Sequence, residues 1–228
     1  MKVSGGNDEQ KRRAGESAAA LVTDGDVVGL GTGSTAAYAV RAIGRAVDAG
    51  LDVRGVPTSF ASRELAREVG VPLVPLEDVD RVDLAVDGAD QVADGALVKG
   101  GGAAHAREKV VAAAADRFVV VVDPSKEAAV VDHPIPVEVL PDARGVVARR
   151  LREAGGDPAL RTAERKDGPV VTDNGNLVLD ADFGEVTDPA SLSTRLSGTP
   201  GVVEHGLFVD VADEVHVGTD GGVTVREP

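Results

Sequence analysis

The chain has 228 residues, 43% of them hydrophobic, enough for one large or two modest domains with real cores. Lys and Arg total 24 against 38 Asp and Glu, and this net charge of −14, with only 2% aromatics, opposes nucleic acid and anionic membranes as partners. There is no Cys, which excludes disulfides, thiolate catalysis and Cys-based zinc sites.

Residues 1 to 6 read as disordered, and no apolar run near them is long enough for a signal peptide. No later run could span a bilayer, so the expected location is the cytoplasm. A helical pattern runs from Asn7 to Val22, and Val27 to Leu30 reads as a short buried strand. Gly31-Thr32-Gly33-Ser34-Thr35 follows, and then an amphipathic helix. Strand, Gly/Ser/Thr loop and helix together form an arrangement that holds phosphate: glycines admit the ligand to the backbone, hydroxyls donate, and the helix dipole attracts negative charge. The loop also fits the relaxed dinucleotide fingerprint G-x-G-x-x-A, but the second strand, Val53 to Val56, ends in Pro57-Thr58-Ser59 without the acid that would bind a ribose. A Walker loop fails as well, because no Gly-Lys-Ser/Thr occurs. A monophosphate site or a plain tight turn remains.

Ser59 to Val69 reads as a third helix, Val71 to Val74 as a short strand, and Val82 to Val86 as a buried strand. That strand runs into DGADQVADGALVKGGGAAHAREK, residues 87 to 109. Here Asp87 and Asp90 stand three residues apart at a strand end, where ligands sit in open α/β sheets. Lys99 runs directly into Gly100, Gly101 and Gly102, which can expose N–H groups to an anion, and the helical run beyond carries Glu108 between Arg107 and Lys109. An acid, a cation and an anion nest in one stretch point to proton transfer on a substrate that develops negative charge. Singly, each feature also suits turn chemistry or a solvated helix face.

Arg117 to Val122 reads as a central strand ending in the polar cluster Asp123-Pro124-Ser125-Lys126. Alternating strands and helices to this point predict an α/β domain with a mostly parallel, Rossmann-like sheet covered on both faces. Near Asp132 the rhythm changes. Expected strands are Ile135 to Leu140, Ala159 to Glu164, Val170 to Val171, Leu177 to Leu179 and Val202 to Val209. Expected helices are Ala143 to Ala154 and Ala190 to Leu196, with a turn at Thr172 to Asn176. The order β-α-β-β-α-β predicts a smaller α+β, ferredoxin-like domain. A hairpin from Glu214 to Val225 is expected to rejoin the first domain, which gives domains at 1–131 plus 208–228 and at 132–207.

The motifs GLGTGSTAA (29–37), DGAD (87–90), KGGGAAHAREK (99–109) and DPSK (123–126) resemble ribose-5-phosphate isomerase of the A type. So do IPVEVLP (135–141), TDNGN (172–176) and PGVVEHGLF (200–208), and together they cover nearly the whole chain in order. The resemblance implies interconversion of ribose 5-phosphate and ribulose 5-phosphate with no metal and no cofactor, by a homodimer or homotetramer. It implies Glu108 as catalytic base, Asp87, Asp90 and Lys99 as the polar cluster around it, and Thr32, Ser34 and Thr35 as the phosphate loop. Lys126 matches a second site lysine, and Lys11 more loosely a phosphate-contacting one. Gln91 stands where many members have Glu, and Ala106 where some have Thr. His105, one turn before the base, is expected on the helix surface.

Aldose–ketose isomerisation moves a proton between adjacent carbons through an enediolate. Glu108 can take and return that proton if its carboxyl is raised from the reference value of about 4.3 by apolar neighbours such as Ala104, Val111 and Ala112. Lys99 and the N–H groups of Gly100 to Gly102 are the expected oxyanion donors, and Asp87, supported by Asp90, the acid that opens the furanose ring. Two other readings use the same scaffold: a CoA-transferase-like enzyme with a glutamate nucleophile, and a non-catalytic sugar-phosphate sensor.

Overall fold

The computed structural model describes residues 7–165 and 167–227, so the expectation for residues 1 to 6 lies outside them. In chain order the first half runs α1 (Asp8–Ala19), β1 (Val27–Leu30), α2 (Ser34–Asp48), β2 (Arg54–Pro57), α3 (Phe60–Glu68), β3 (Leu84–Asp87), β4 (Gln91–Ala93), β5 (Ala96–Val98), α4 (His105–Ala113) and β6 (Phe118–Val122). The second half runs β7 (Ile135–Val139), α5 (Arg144–Glu153), β8 (Asp157–Leu160), β9 (Leu177–Asp182), α6 (Pro189–Ser197), β10 (Val202–His205), β11 (Leu207–Val209), β12 (Glu214–Thr219) and β13 (Gly222–Arg226). No helix among the described residues is long and apolar enough to cross a membrane.

The chain divides into two compact units. One holds the described residues up to Ala89, with Arg107–Glu127 and Val211 onward; the other holds Asp90–Ala106 and Ala128–Asp210. The first is built on a six-stranded sheet in the order β13-β12-β6-β3-β1-β2, parallel throughout except for β13. Its central strands β3 and β6 are buried along their whole length, which is why they read as unbroken apolar runs. Ala14 and Ala18 of α1 pack with Ala39, Leu84, Val86, Val119 and Val121. Small residues are required there: a Cβ on Gly15 would lie 2.8 Å from the backbone nitrogen of Ala39. On the sheet, a Cβ on Gly29 would meet Val111 at 2.7 Å, so α4 lies directly over β1. The hairpin β12–β13 joins this sheet beside β6, as its sequence led us to expect.

The second unit carries a four-stranded antiparallel sheet in the order β10-β7-β9-β8 with α5 and α6, the ferredoxin-like βαββαβ arrangement. Val137, Val139, Val147, Leu151, Leu179 and Leu196 fill its core. On the other face of β7, fully buried Glu138 accepts three hydrogen bonds at Oε1: from Thr172 Oγ1 (2.9 Å), Asn174 Nδ2 (3.1 Å) and Asn176 Nδ2 (2.8 Å). The IPVEVLP and TDNGN motifs therefore lock one another, a structural role.

The sequence patterns miss a three-stranded sheet, β11-β5-β4. Its strands have three residues each, too few to show a period. Ala93, Ala96 and Val98 of this sheet share the core of the second unit, so residues 90–106 group there and not with the parallel sheet where the expected boundaries put them. The expected single strand from Val202 to Val209 is two strands in two sheets. Gly206 divides them: its N–H bonds Pro136 O at 2.7 Å, its carbonyl accepts from Lys99 N–H at 2.8 Å, and a Cβ on it would lie 2.0 Å from Lys99 O. The strand expected at Ala159 to Glu164 begins earlier, at Asp157, while Val71–Val74 and Val170–Val171 contribute only isolated bridges, through Leu73 and Val171.

Candidate active site

In the parallel-sheet unit, strand order reverses between β1 and β3: the chain steps outward from β1 to β2, then returns to the far side of β1. Such a switch point opens a crevice at the carboxyl ends of the two strands. The loop after β1 and the last residue of β3 occupy it. Gly31 N–H continues the ladder to Val86 O at 2.9 Å, and a Cβ there would sit 2.4 Å from the Asp87 carboxyl, so only glycine fits. Asp87 is 3% exposed, and its Oδ1 accepts from the N–H of Thr32 (2.9 Å) and of Gly88 (2.7 Å). Both amides fall on one oxygen, and Oδ2 lies outside that pair.

The hydroxyl of Thr32 donates to Ser59 Oγ at 2.7 Å and lies 3.0 Å from Thr58 Oγ1. Ser59 is also the N-cap of α3, accepting from Ser62 N–H at 3.0 Å. Helix α2 starts at Gly33, with φ +113° and no side-chain cap, so its first N–H groups are open to an anion. Ser34 there is exposed and Thr35 buried. The two hydroxyls ending β2 belong to this loop's surroundings, a long-range link with no trace in local sequence.

Glu108 lies in the first turn of α4 and is 4% exposed. The residues just after α4 bridge the amino end of β3, Ala115 beside Val82, which places the first turn at the carboxyl end of the sheet. Ala104, Val111 and Ala112, the expected apolar neighbours of Glu108, are buried as well. Asp123 closes β6 at the same edge; it is fully buried, and its Oδ1 accepts from Ser125 N–H at 3.0 Å and from the Ser125 hydroxyl. Half-buried Lys126 ends the turn that follows. The first turn of α1 also reaches this edge, since a Cβ on Gly218 near the end of β12 would lie 1.9 Å from Gln10 O. Lys11, half-buried, is the next residue. Thr32, Ser34, Thr35, Asp87 and Glu108 thus share one edge of this sheet with Asp123, a buried carboxylate that pattern reading marked only as part of a polar cluster.

The other predicted residues belong to the second unit. Asp90 and Lys99 flank the β4–β5 hairpin, with Asp90 N–H on Val98 O at 2.8 Å. Lys99 is 2% exposed, with Nζ 5.7 Å from the centre of the Phe208 ring, a cation–π contact. The half-buried Asp90 accepts the N–H of Gly101 at Oδ2, 2.6 Å away. Of the three glycine amides expected to serve an oxyanion, this one is engaged by Asp90; those of Gly100 and of exposed Gly102 are not held by it. His105 is fully buried, contrary to the surface position expected of it. Gly100, at φ +100°, packs on its ring so closely that a Cβ would lie 2.6 Å from Nδ1. Gln91 accepts at Oε1 from the N–H of Asp132 and of His133, both at 3.0 Å, and donates through Nε2 to Asp132 Oδ1. A glutamate could not make the last bond, so this departure is absorbed by local structure.

The family model for ribose 5-phosphate isomerase A (phosphoriboisomerase A) matches residues 54–222. A ribose-5-phosphate isomerase A of Haloarcula marismortui is 70% identical over 222 residues, covering 97% of both chains. The solved structure of ribose 5-phosphate isomerase A from Methanocaldococcus jannaschii superposes with a TM-score of 0.94 at 45% identity, over 98% of this chain and all of that one (100%). A D-ribose-5-phosphate isomerase solved in complex with phospho-erythronic acid gives a TM-score of 0.94 at 40% identity, over 98% of this chain and 100% of its own. With sequence and fold in agreement with these relatives over nearly the whole chain, the chain belongs to the ribose 5-phosphate isomerase A family.

Proposed function

We propose that the chain interconverts ribose 5-phosphate and ribulose 5-phosphate, with Glu108 as the base that carries the proton between C2 and C1. The observation that carries this reading is the burial of Glu108 at the carboxyl edge of the sheet that also presents the Thr32–Thr35 loop. Burial removes solvation from a carboxylate, and desolvation raises basicity. The phosphate rests on the open start of α2 and the Ser34 and Thr35 hydroxyls, with Lys126 and Lys11 adding charge, and this remote binding energy positions the reacting carbons. Asp87, supported by Asp90, supplies the proton that opens the furanose ring. Lys99, with the Gly100 and Gly102 amides, meets the charge that develops on the enediolate oxygens. The phospho-erythronic acid bound by a relative fits this picture, because a sugar-acid carboxylate spreads charge over two oxygens as an enediolate does. The acidic, cysteine-free composition supports a cytoplasmic enzyme, and the family resemblance a homodimer or homotetramer. No observation favours the sensor or the CoA-transferase reading.

The deciding experiment is conversion of ribose 5-phosphate to ribulose 5-phosphate by the purified chain in EDTA. Full turnover in chelator is expected; activity lost to EDTA and restored by a divalent ion would overturn the metal-free mechanism. In the same assay, the double variant Ser34→Ala, Thr35→Ala raises KM for the phosphorylated sugar by roughly tenfold, about one charge-assisted hydrogen bond, with a smaller change in kcat. An unchanged KM would reduce the loop to a turn.

A further inference from the structure

Arg161 follows β8, and Asp180 lies on β9. The two strands pair with Ala159 opposite Asp180, and Arg161 N–H donates to Val178 O at 2.9 Å, so Arg161 and Asp180 are diagonal neighbours on one face. The guanidinium grips the carboxylate at two points, Nε to Oδ2 at 2.9 Å and Nη2 to Oδ1. Its remaining nitrogen, Nη1, reaches two successive backbone carbonyls, Gly100 O at 2.7 Å and Gly101 O at 3.3 Å. The Arg161 side chain is only 11% exposed.

A pair that served only to staple β8 to β9 would not need the third contact. In a planar trans peptide the carbonyl of one residue and the N–H of the next point in opposite directions. Turning Gly100 C=O to Arg161 therefore turns Gly101 N–H away, to where Asp90 Oδ2 accepts it at 2.6 Å. Turning Gly101 C=O the same way sets the direction of Gly102 N–H. Three consecutive glycines have the widest choice of backbone conformation of any run; within the loop Ala103 N–H holds Gly100 O at 2.9 Å, and Arg161 adds a hold from outside it on both carbonyls. Asp180 supplies what a lone arginine lacks, a fixed angle for the fork.

We propose that Arg161, oriented by Asp180, is a positioning residue for the isomerisation: it fixes two peptide planes of the Gly100–Gly102 loop and so places Asp90 and the Gly102 amide for the reaction. Lysine cannot replace it, because one ammonium cannot grip the carboxylate at two points and still span both carbonyls. The kinetic consequence rests on the isomerase reading above; the hold on the loop does not.

The test compares wild type with Arg161→Lys, Asp180→Asn and Arg161→Ala by two readouts. The first is amide hydrogen exchange, followed by mass spectrometry, of the peptide covering residues 99–106, with peptides from α5 and α6 as references. Loss of the hold opens the loop locally, so exchange in that peptide rises by about tenfold in Arg161→Lys while the references stay unchanged. The second is steady-state kinetics on ribose 5-phosphate. Misplaced donors lower kcat by about tenfold or more, with KM within a small factor, and methylguanidinium restores part of kcat to Arg161→Ala but not to Arg161→Lys. Asp180→Asn moves both readouts the same way by less. If Arg161→Ala fails to fold, the other two variants decide. Exchange that is unchanged in the loop, or that rises equally in α5 and α6, overturns the proposal, as does a loosened loop with wild-type kcat. A wild-type protein inactive on ribose 5-phosphate would sink the isomerase reading and with it the kinetic claim, leaving the exchange data to decide the hold on the loop.

Discussion

Glu108→Gln lowers kcat for ribose 5-phosphate by at least about a hundredfold, the low end for loss of a general base, while KM stays within a small factor. Gln has nearly the shape of Glu and fits the same buried first turn of α4, so packing over β1 through Val111 is kept. What it lacks is a basic oxygen able to take the C2 proton and return it to C1. The phosphate loop lies on other residues, so substrate binding is spared. Melting temperature measured alongside separates lost chemistry from lost fold. Near-normal turnover in a folded Glu108→Gln protein would remove this residue from the base role and direct attention to Asp123, another buried carboxylate at that edge.

Much of this site was legible because its parts are local. Strand, glycine loop and helix stand next to one another in sequence, so the loop from Gly31 to Thr35 and the strand-end Asp87 could be placed from pattern alone. The βαββαβ order of the smaller unit came from element alternation in the same way. What escaped is held by distant partners. Thr58 and Ser59 reach Thr32 from 26 and 27 residues away, and Arg161 reaches Gly100 from 61. His105 is polar and follows glycines, which suggests a surface; its burial depends on Gly100 adopting a conformation that admits the ring, and no local periodicity encodes that. Gly206 was hidden within the expected strand because the close approach of Lys99 O is visible only in three dimensions.

Melting temperature rises with salt, by on the order of 10 °C between about 0.1 and about 3 M KCl, if screening relieves a few kcal/mol of self-repulsion. The chain has 24 Asp and 14 Glu against 18 Arg and only 6 Lys. An excess of carboxylates on one small protein repels itself, and screening shortens the reach of that repulsion from about 8 Å at physiological salt to about 3 Å at 1 M. Salt also weakens attractive surface pairs such as Arg67–Glu64 at 2.9 Å, but exposed pairs of this kind contribute little to stability. With 38 acids against 24 bases, relief of repulsion is the larger effect. Because phosphate binding itself weakens as salt rises, activity lost in dilute buffer reports unfolding, not failed recognition. A flat or falling melting curve rejects stabilisation by salt and leaves the isomerase assignment standing.

The placement of β12 beside β6 also governs how the chain comes to be folded. On the ribosome, β6 emerges long before its neighbour, and its open edge must wait through α5, α6 and the whole four-stranded sheet. The wait is shared by α1, whose Arg13 donates to Thr219 O at 2.9 Å across 206 residues. Closing contacts of such separation is slow, and a strand of five apolar residues, Phe118–Val122, paired with β3 on one side and open on the other, is the kind of edge that recruits other chains. The interval between synthesis of β6 and arrival of β12 is therefore the period in which this protein is most exposed to aggregation, and the period in which a chaperone would have most to do.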